Sequence, residues 1–186
     1  KLFPSITVHK KQFIQYKYVK GEIFYKLVNE ENFLKLLNLL KKNLWSIPKN
    51  KKIKKICKKF NNKKTLERIN LFAKKYKFKK DKTLKINKVN IPPINDLIKK
   101  IPWNEIYEGI PSKIHGDLQF DNIIFDKKKF TLIDWREDFG GNIDYGDLYY
   151  DLSKMYGGIE MNYDFIKKGR FSYKEKNNNI SYYFQS

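Results

Sequence analysis

The hydrophobic pattern of the first fifty residues changes period once. In residues 5–19, "SITVHKKQFIQYKYV", Ile6, Val8 and Phe13 alternate with polar neighbours, which predicts a β-hairpin. After Asn29 the apolar residues recur at helical spacing, and Asn29 itself stands at the position of an N-cap. The pattern predicts an amphipathic helix with this inward face: Phe33, Leu36, Leu37, Leu40 and Leu44.

Two further helices are predicted before the prolines at 92 and 93. The stretch 49–64 places three apolar residues on one helical face beneath many lysines, and a solvated helix lying on the core is the simplest interpretation: Ile53, Ile56 and Phe60. The next stretch, "TLERINLFAKKY", predicts a separate helix capped by Thr65. Its predicted inward residues are Leu66, Ile69, Phe72 and Tyr76. The two prolines interrupt regular structure, and a short helix is predicted in "NDLIKKI".

The last third of the chain consists of short apolar runs separated by acidic loops. Asn122 to Phe125 and Phe130 to Ile133 are predicted strands, joined by the turn "DKKK" into a second hairpin. The segment "GDLYYDLSKMYGG" predicts a helix that Asp147 caps and that Gly157 and Gly158 end. Helices mixed with short hairpins indicate an α+β fold.

The length and composition of the chain are typical of a folded globular protein. The 186 residues suit one domain or two small lobes, and 41% hydrophobic with 16% aromatic residues is enough for a core. The chain begins at Lys1 rather than at Met, and it ends on "ISYYFQS", an alternating stretch typical of a strand. We therefore expect a fragment of a longer protein.

The formal charge of +20 raises the question of a polyanionic partner. Of the 40 basic residues only Arg68, Arg136 and Arg170 are arginine, the residue that bidentate phosphate and base recognition favours. A single alanine with abundant Lys, Asn and Ile is typical of AT-rich coding sequence, which leaves lysine on solvated surfaces. We expect no specific nucleic-acid partner, and keep a basic polyanion-binding module as an alternative.

The one cysteine, Cys57, excludes an intrachain disulfide and favours a reducing, cytoplasmic location. No apolar run approaches the roughly 20 residues of a membrane-spanning helix, and no signal peptide is recognisable. We therefore expect no membrane span.

Three polar residues are predicted to meet at the mouth of the second hairpin. Asp117 precedes its first strand, Asn122 begins that strand and Asp134 follows the second. The oxygens of Asn122 and Asp134 suit Mg²⁺, which takes its other ligands from water and substrate phosphates. Asp117 would stand beside the metal, free to accept a proton from a hydroxyl. This arrangement is that of phosphoryl transfer.

The motif "HGDLQFDN", followed by "LIDW", resembles the aminoglycoside phosphotransferase and choline kinase superfamily, relatives of protein kinases. The resemblance implies a protein-kinase-like C-terminal lobe that uses ATP and Mg²⁺ to phosphorylate a hydroxyl of a sugar, amino alcohol or aminoglycoside. It implies Asp117 as the catalytic base, His115 as the motif histidine that braces the catalytic loop, and Asn122 and Asp134 as metal ligands. Gly116 would allow a tight turn there.

The resemblance extends to the sequences on both sides of the motif. "FIQYKYVKGE" is similar to the hinge between the two lobes, which implies adenine contacts from a segment containing Tyr16, Tyr18 and Lys20. "GDLYYDL" is similar to the segment in which an acid, here Asp151, ties the following helix to the catalytic loop. The run from "IDWRED" to "KMYGG" also resembles phosphotransferases associated with bacterial capsule and surface-glycan genes.

The resemblance also implies a division of the chain. Residues 1–20 would be the last hairpin of the amino-terminal lobe and the hinge, and residues 21–186 the helical C-terminal lobe. The glycine-rich loop and strand lysine of the amino-terminal lobe have no counterpart in this sequence. We therefore expect little activity from these residues alone, and a binding or regulatory pseudokinase is the other alternative.

Overall fold

The helix predicted after Asn29 is present in the computed structural model, and its first residue follows from the cap. The Asn29 side chain accepts a hydrogen bond from the Asn32 backbone N–H at 2.8 Å, which satisfies one of the amides that a first turn leaves without a partner. Helix α1 (Glu30–Asn43) buries Leu36 and Leu40 completely. The prediction of an amphipathic helix here is confirmed.

The structure describes residues 1–49 and 51–184; Asn50, from the lysine-rich stretch, and Gln185 and Ser186, from the terminal aromatic stretch, lie outside the described residues. The strands are β1 (Ile6–Lys10), β2 (Phe13–Tyr16), β3 (Glu22–Ile23), β4 (Leu84–Ile86), β5 (Val89–Ile91), β6 (Pro111–Ser112), β7 (Ile123–Phe125), β8 (Phe130–Leu132), β9 (Gly146–Asp147), β10 (Phe171–Lys176) and β11 (Asn179–Phe184). The other α-helices are α2 (Lys54–Cys57), α3 (Lys64–Lys75), α4 (Ile94–Lys99), α5 (Trp103–Glu108), α6 (Leu148–Glu160) and α7 (Tyr163–Lys167).

Helices and strands are thus mixed along the chain, as an α+β fold requires. The chain divides into two units: unit 1 comprises residues 1–52 and 110–160, and unit 2 comprises residues 53–109 and 161–186. The assignment to a kinase-like C-terminal lobe and the proposed boundary at residue 20 stay predictions. Among the described residues, no helix combines the length and the apolar character needed to cross a bilayer.

Unit 1 contains both predicted hairpins. Strands β1 and β2 pair antiparallel, and β7 and β8 pair antiparallel with Ile123 opposite Leu132 and Phe125 opposite Phe130. Strand β3 joins the second hairpin along β7, and β6 pairs with β9 in a separate two-stranded ladder. Both hairpin predictions are confirmed.

An aromatic cluster forms the centre of unit 1. The buried ring of Phe24 meets the edges or faces of three other rings at centroid distances of 5.1–6.4 Å, those of Phe120, Phe125 and Phe130. Phe125 and Phe130 stack on each other at 4.1 Å. Because these phenylalanines come from β7, β8 and two short 3₁₀ turns, the cluster holds the second hairpin against the loop that precedes it.

Unit 2 is a helical segment together with a four-stranded sheet. The sheet order is β10-β11-β4-β5, in which β11 pairs parallel with β4 and the other pairs are antiparallel. The strand predicted at the end of the chain is therefore present as β11, with a partner on each side. The buried apolar residues of unit 2 that the structure describes are Ile53, Cys57, Phe60 and Tyr107.

The predicted cap at Thr65 is wrong. A π-helical segment (Lys58–Lys63) joins α2 directly to α3, so Thr65 lies inside one continuous helix and has no amino terminus to cap. The wider turn of a π-helix also rotates the face that follows it. Phe72 and Tyr76, predicted to point inward, are 49% and 61% exposed.

The predicted stop at Gly157 and Gly158 is also wrong, because α6 continues to Glu160. Gly158 is buried, and a Cβ atom there would lie 3.2 Å from the Tyr25 hydroxyl oxygen. The glycine permits close packing rather than ending the helix. The start of α6 is as predicted, since Asp147 Oδ1 accepts a hydrogen bond from the Tyr149 N–H at 3.1 Å.

Candidate active site

The His-Gly-Asp loop is anchored to helix α6 by one buried carboxylate. Asp151 accepts hydrogen bonds from the backbone N–H groups of His115 and Gly116, each at 2.8 Å, and from Trp45 Nε1 at 3.0 Å. Burial raises the pKa of Asp151, and these three hydrogen bonds oppose that effect. The acid at position 151 therefore ties the helix to the loop, as the family resemblance implies.

His115 joins the loop to the second hairpin. Its buried ring donates from Nε2 to the Ile133 carbonyl oxygen at 2.9 Å, and Nδ1 accepts the Asp117 backbone N–H at 3.2 Å. The Phe3 ring stacks on it at a centroid distance of 6.0 Å. Burial lowers the pKa of His115 to about 4, so the imidazole is neutral at physiological pH. Both ring nitrogens are occupied in bracing the backbone.

Gly116 occupies a position that a larger residue would strain. Its φ is +80°, and a Cβ atom would lie 2.6 Å from Arg136 Cβ. Arg136 Nε donates to the Gly116 carbonyl at 3.0 Å, and the Arg136 N–H donates to the His115 carbonyl at 2.9 Å. Arg136, after the second hairpin, thus fastens the loop by its carbonyl groups, whereas Asp151 binds its N–H groups.

The Asp117 carboxylate is partly buried and surrounded by donors. Gln119 Nε2 donates to Oδ1 at 3.0 Å, and Lys154 Nζ lies 2.8 Å from the same oxygen. Burial raises the pKa of Asp117, but the hydrogen bonds from Lys154 and Gln119 and the charges of Lys154 and Arg136 outweigh it, and the pKa lies below its ordinary value. Asp117 is therefore ionised at neutral pH.

The structure brings Asn122 to Asp117 directly and Asp134 to the same loop through Ile133. Asn122 Nδ2 donates to the Asp117 carbonyl at 2.9 Å and lies 3.4 Å from Oδ2. The Ile133 N–H donates to the Asn122 carbonyl at 3.0 Å, while the Ile133 carbonyl accepts from His115. Asp134 is the next residue, exposed and with φ +58°.

Asn122 and Asp134 each carry a side-chain oxygen of the kind that a hard cation takes. Because Asn122 uses its amide nitrogen on Asp117, its amide oxygen remains as an acceptor. Within residues 1–49 and 51–184, the Asp134 carboxylate makes no hydrogen bond or ion pair. The same residues include no group of three His, Cys, Asp or Glu side chains suited to holding a metal. Two oxygen donors suit Mg²⁺ only if water and phosphates complete its shell.

The predicted hinge residues line two adjoining concavities. Tyr16 and Tyr18 line one of about 470 Å³, whose other wall includes Ile124 and Ile133 of the second hairpin. The Tyr18 side chain is 88% exposed. Lys20 lines a neighbouring concavity of about 460 Å³ instead.

Sequence reasoning did not assign Gln119, Lys154, Trp45 or Arg136, all of which contact the loop or its anchor. Helical spacing offered a signal for Lys154, because it lies three residues after Asp151 and so on the same side of α6. Trp45 offered no signal, since 106 residues separate it from Asp151.

Residues 94–171 match the family APH, described as the phosphotransferase enzyme family. No curated protein and no solved structure gives a significant match to the chain. The matched residues include the His-Gly-Asp loop, the second hairpin and all of α6. The chain is therefore similar to phosphotransferases across its whole anchored loop, which supports the aminoglycoside and choline kinase-like superfamily.

Proposed function

We propose that this protein is an ATP-dependent kinase that transfers the γ-phosphoryl group to a hydroxyl of a small molecule such as a sugar, an amino alcohol or an aminoglycoside-like compound. The observation that carries the proposal is the Asp117 carboxylate. Its lowered pKa keeps it ionised at neutral pH, and Asn122 Nδ2 donates to the backbone carbonyl of Asp117 at 2.9 Å. It stands on a loop that α6 and the second hairpin brace, within the residues that match phosphotransferases.

Asp117 is the proposed catalytic base. A carboxylate that is ionised at neutral pH can accept the proton of an acceptor hydroxyl as that oxygen attacks phosphorus. His115 is not a proton carrier in this proposal, because both of its ring nitrogens are bound to backbone groups. Its proposed role is to hold Asp117 and Ile133 in register.

Asn122 and Asp134 are the proposed ligands of Mg²⁺. Their amide and carboxylate oxygens are of the kind that this ion prefers, and their small number leaves room for nucleotide phosphates. Bound there, the ion would neutralise phosphate charge during transfer. The chain's own contribution is to orient these oxygens through the Asn122 to Asp117 hydrogen bond and the turn at Asp134.

The concavity between the hinge and the second hairpin is the proposed adenine site. Its tyrosines and isoleucines offer the aromatic and apolar surfaces that a purine ring needs, and Ile133 directly precedes Asp134. Adenine there would place the phosphates toward the proposed metal ligands. Lys20, in the neighbouring concavity, is assigned to the same edge on the family resemblance alone.

The proposal is tested by a screen of hydroxyl-bearing small molecules with the full-length protein, Mg²⁺ and γ-labelled ATP. We expect label on one class of acceptor, and no label with Asp117→Asn. Nucleotide binding without transfer to any acceptor would favour the pseudokinase instead. The resemblance to capsule-associated phosphotransferases makes sugars the first acceptors to screen.

One observation favours a second candidate, a polyanion-binding module. Unit 2 contains 22 basic and 7 acidic residues, so it carries +15 of the net charge of +20. Aromatic side chains are exposed among these lysines, including Phe72, Tyr76, Tyr173 and Tyr183. Binding to polyphosphate or nucleic acid that survives physiological salt would support this function.

A further inference from the structure

Lys154 is a charged residue to which the proposed mechanism gives no role, and it forms a partly buried ion pair. Its Nζ atom lies 2.8 Å from Asp117 Oδ1, and the two side chains are only 25% and 26% exposed. In the Lys35–Glu31 pair of the same unit the corresponding values are 56% and 73%. Exposed pairs of that kind contribute little, whereas shielding from water strengthens the attraction between Lys154 and Asp117.

The position of Lys154 is set by the same helix that anchors the loop. Asp151, one turn earlier on α6, holds the backbone of His115 and Gly116. The Lys154 ammonium group also lies 5.6 Å from the centre of the Tyr150 ring. Helix α6 therefore fixes both the loop and the cation that meets its aspartate.

The two oxygens of the Asp117 carboxylate have different surroundings. Oδ1 receives Lys154 Nζ at 2.8 Å and Gln119 Nε2 at 3.0 Å. In the part of the chain that the structure describes, the one hydrogen-bond contact of Oδ2 is the long one of 3.4 Å with Asn122 Nδ2. One oxygen is thus occupied by two donors, and the other keeps most of its capacity to accept.

We propose that Lys154 is a positioning residue, which holds Oδ1 of Asp117 so that Oδ2 faces the acceptor hydroxyl. This inference rests on the proposed kinase function. In the step it serves, the acceptor O–H bond breaks and its proton forms a new bond to Oδ2. The acceptor oxygen bonds to phosphorus as the bond to the bridging oxygen breaks, and the nucleoside diphosphate leaves with that electron pair.

The first test measures steady-state transfer and nucleotide affinity of Lys154→Met in the full-length protein. We expect kcat to fall about tenfold or more, because a misplaced base loses its alignment with the hydroxyl. The Kd for nucleotide should stay within twofold of wild type. Lys154→Arg should recover most of the rate, since it restores a cationic donor. Lys35→Met, which removes an exposed lysine of the same unit, should transfer the phosphoryl group at the wild-type rate.

A double-mutant cycle separates positioning from a general structural effect. If Lys154 acts through Asp117, Lys154→Met should cost little additional rate in the Asp117→Asn background, where no carboxylate remains to be positioned. An equal loss in both backgrounds would overturn the inference. So would a normal kcat for Lys154→Met, or a loss of nucleotide affinity equal to its loss of rate.

A spectroscopic measurement tests the contact without requiring turnover. In protein labelled with ¹³C at aspartate carboxyl groups, the Asp117 signal at fixed neutral pH should move in Lys154→Met, return toward wild type in Lys154→Arg, and stay unchanged in Lys35→Met. Lys154→Gln, which keeps a neutral donor, replaces the methionine variant if that does not fold. An unmoved signal would contradict the inference. If the Asp117 signal moves in Lys154→Met but the wild-type protein phosphorylates no acceptor, the proposed function is wrong and the contact between Lys154 and Asp117 is still supported.

Discussion

Unit 1 and unit 2 differ in how many apolar residues they bury and in their net charge. Unit 2 buries four of the apolar residues that the structure describes as core, and unit 1 buries the rest, including the aromatic cluster beneath the second hairpin. Unit 2 carries a net charge of +15 and unit 1 only +5. Regions with few buried contacts open at lower free energy. The anchored loop lies on the unit with the larger core.

The proposed site lies on unit 1, and Asp134→Asn should show the largest effect. Turnover of the full-length protein should be abolished and Mg-dependent nucleotide affinity weakened, because the substitution removes the one proposed ligand carboxylate. Asparagine tolerates positive φ, so the backbone at position 134 should be retained. Nucleotide titration with and without Mg²⁺, paired with single-turnover transfer, measures both quantities.

Asp96→Asn in unit 2 is the matched control for that experiment. It removes a carboxylate that pairs with Lys99 on α4, and transfer should be unchanged. Normal Mg-ATP binding and turnover by Asp134→Asn would contradict the assignment of the hairpin mouth.

Asp117→Asn should separate binding from rate. Asparagine nearly preserves the shape of the side chain but removes the proton acceptor. The rate of transfer should therefore fall by a factor on the order of 10² or more, while nucleotide affinity stays near wild type. Single-turnover kinetics beside nucleotide titration check this expectation. Near-normal transfer by this variant would show that Asp117 is not the base.

Substitutions on helix α1 of unit 1 and helix α3 of unit 2 should differ in their cost to stability. Leu40→Ala, at a fully buried position of α1, should lower the free energy of unfolding by about 2–5 kcal/mol. Phe72→Ala, at the half-exposed face of α3, should cost about 1 kcal/mol or less. Denaturant unfolding monitored by hydrogen exchange in each unit measures both. Equal losses would contradict the difference in burial between these two positions.

His115 should make unit 1 sensitive to acid. Its folded pKa of about 4 lies below the ordinary 6.5, so the unfolded chain takes up the proton first as the pH falls. The contribution of the neutral imidazole to the free energy of unfolding is fully present above pH 6.5. It decreases as the pH falls to 4, by about 3 kcal/mol at most. The free energy of unfolding of His115→Gln should lack this part of the pH dependence. His9→Gln, at an exposed position of β1, should keep it.

The smallest effect concerns the charge of unit 2. If that charge is compositional, duplex DNA should bind weakly, without sequence preference, and lose affinity steeply with salt. Replacing Lys58, Lys59 and Lys63 with glutamine should weaken this binding more than the same change at the three lysines of the β7–β8 turn, 127–129. Sequence-selective binding at physiological salt would instead support the polyanion-binding module.

The elements that were predicted correctly rest on short-range physics. The Asn29 cap and the leucine period of α1 involve residues within one or two turns. The "DKKK" turn closes the second hairpin, where Asp126 Oδ1 accepts the N–H groups of Lys128 and Lys129. Asp147 likewise starts α6. The elements that were missed or misplaced depend on distant partners: the β4–β5 pair lies in a sheet with β11, and α6 passes Gly158 against Tyr25.

By itself the sequence determined the α+β mixture, the two hairpins of unit 1, helix α1 and the order of the loop that carries His115, Gly116 and Asp117. Periodicity, caps and turn residues act over a few positions, so the chain encodes them wherever it lies. Only the tertiary structure decided that α2 runs through a π-helical segment into α3. It alone showed that Trp45 meets Asp151, and that Lys154 takes one oxygen of Asp117. Those contacts depend on which helix packs against which loop, and no local pattern specifies that.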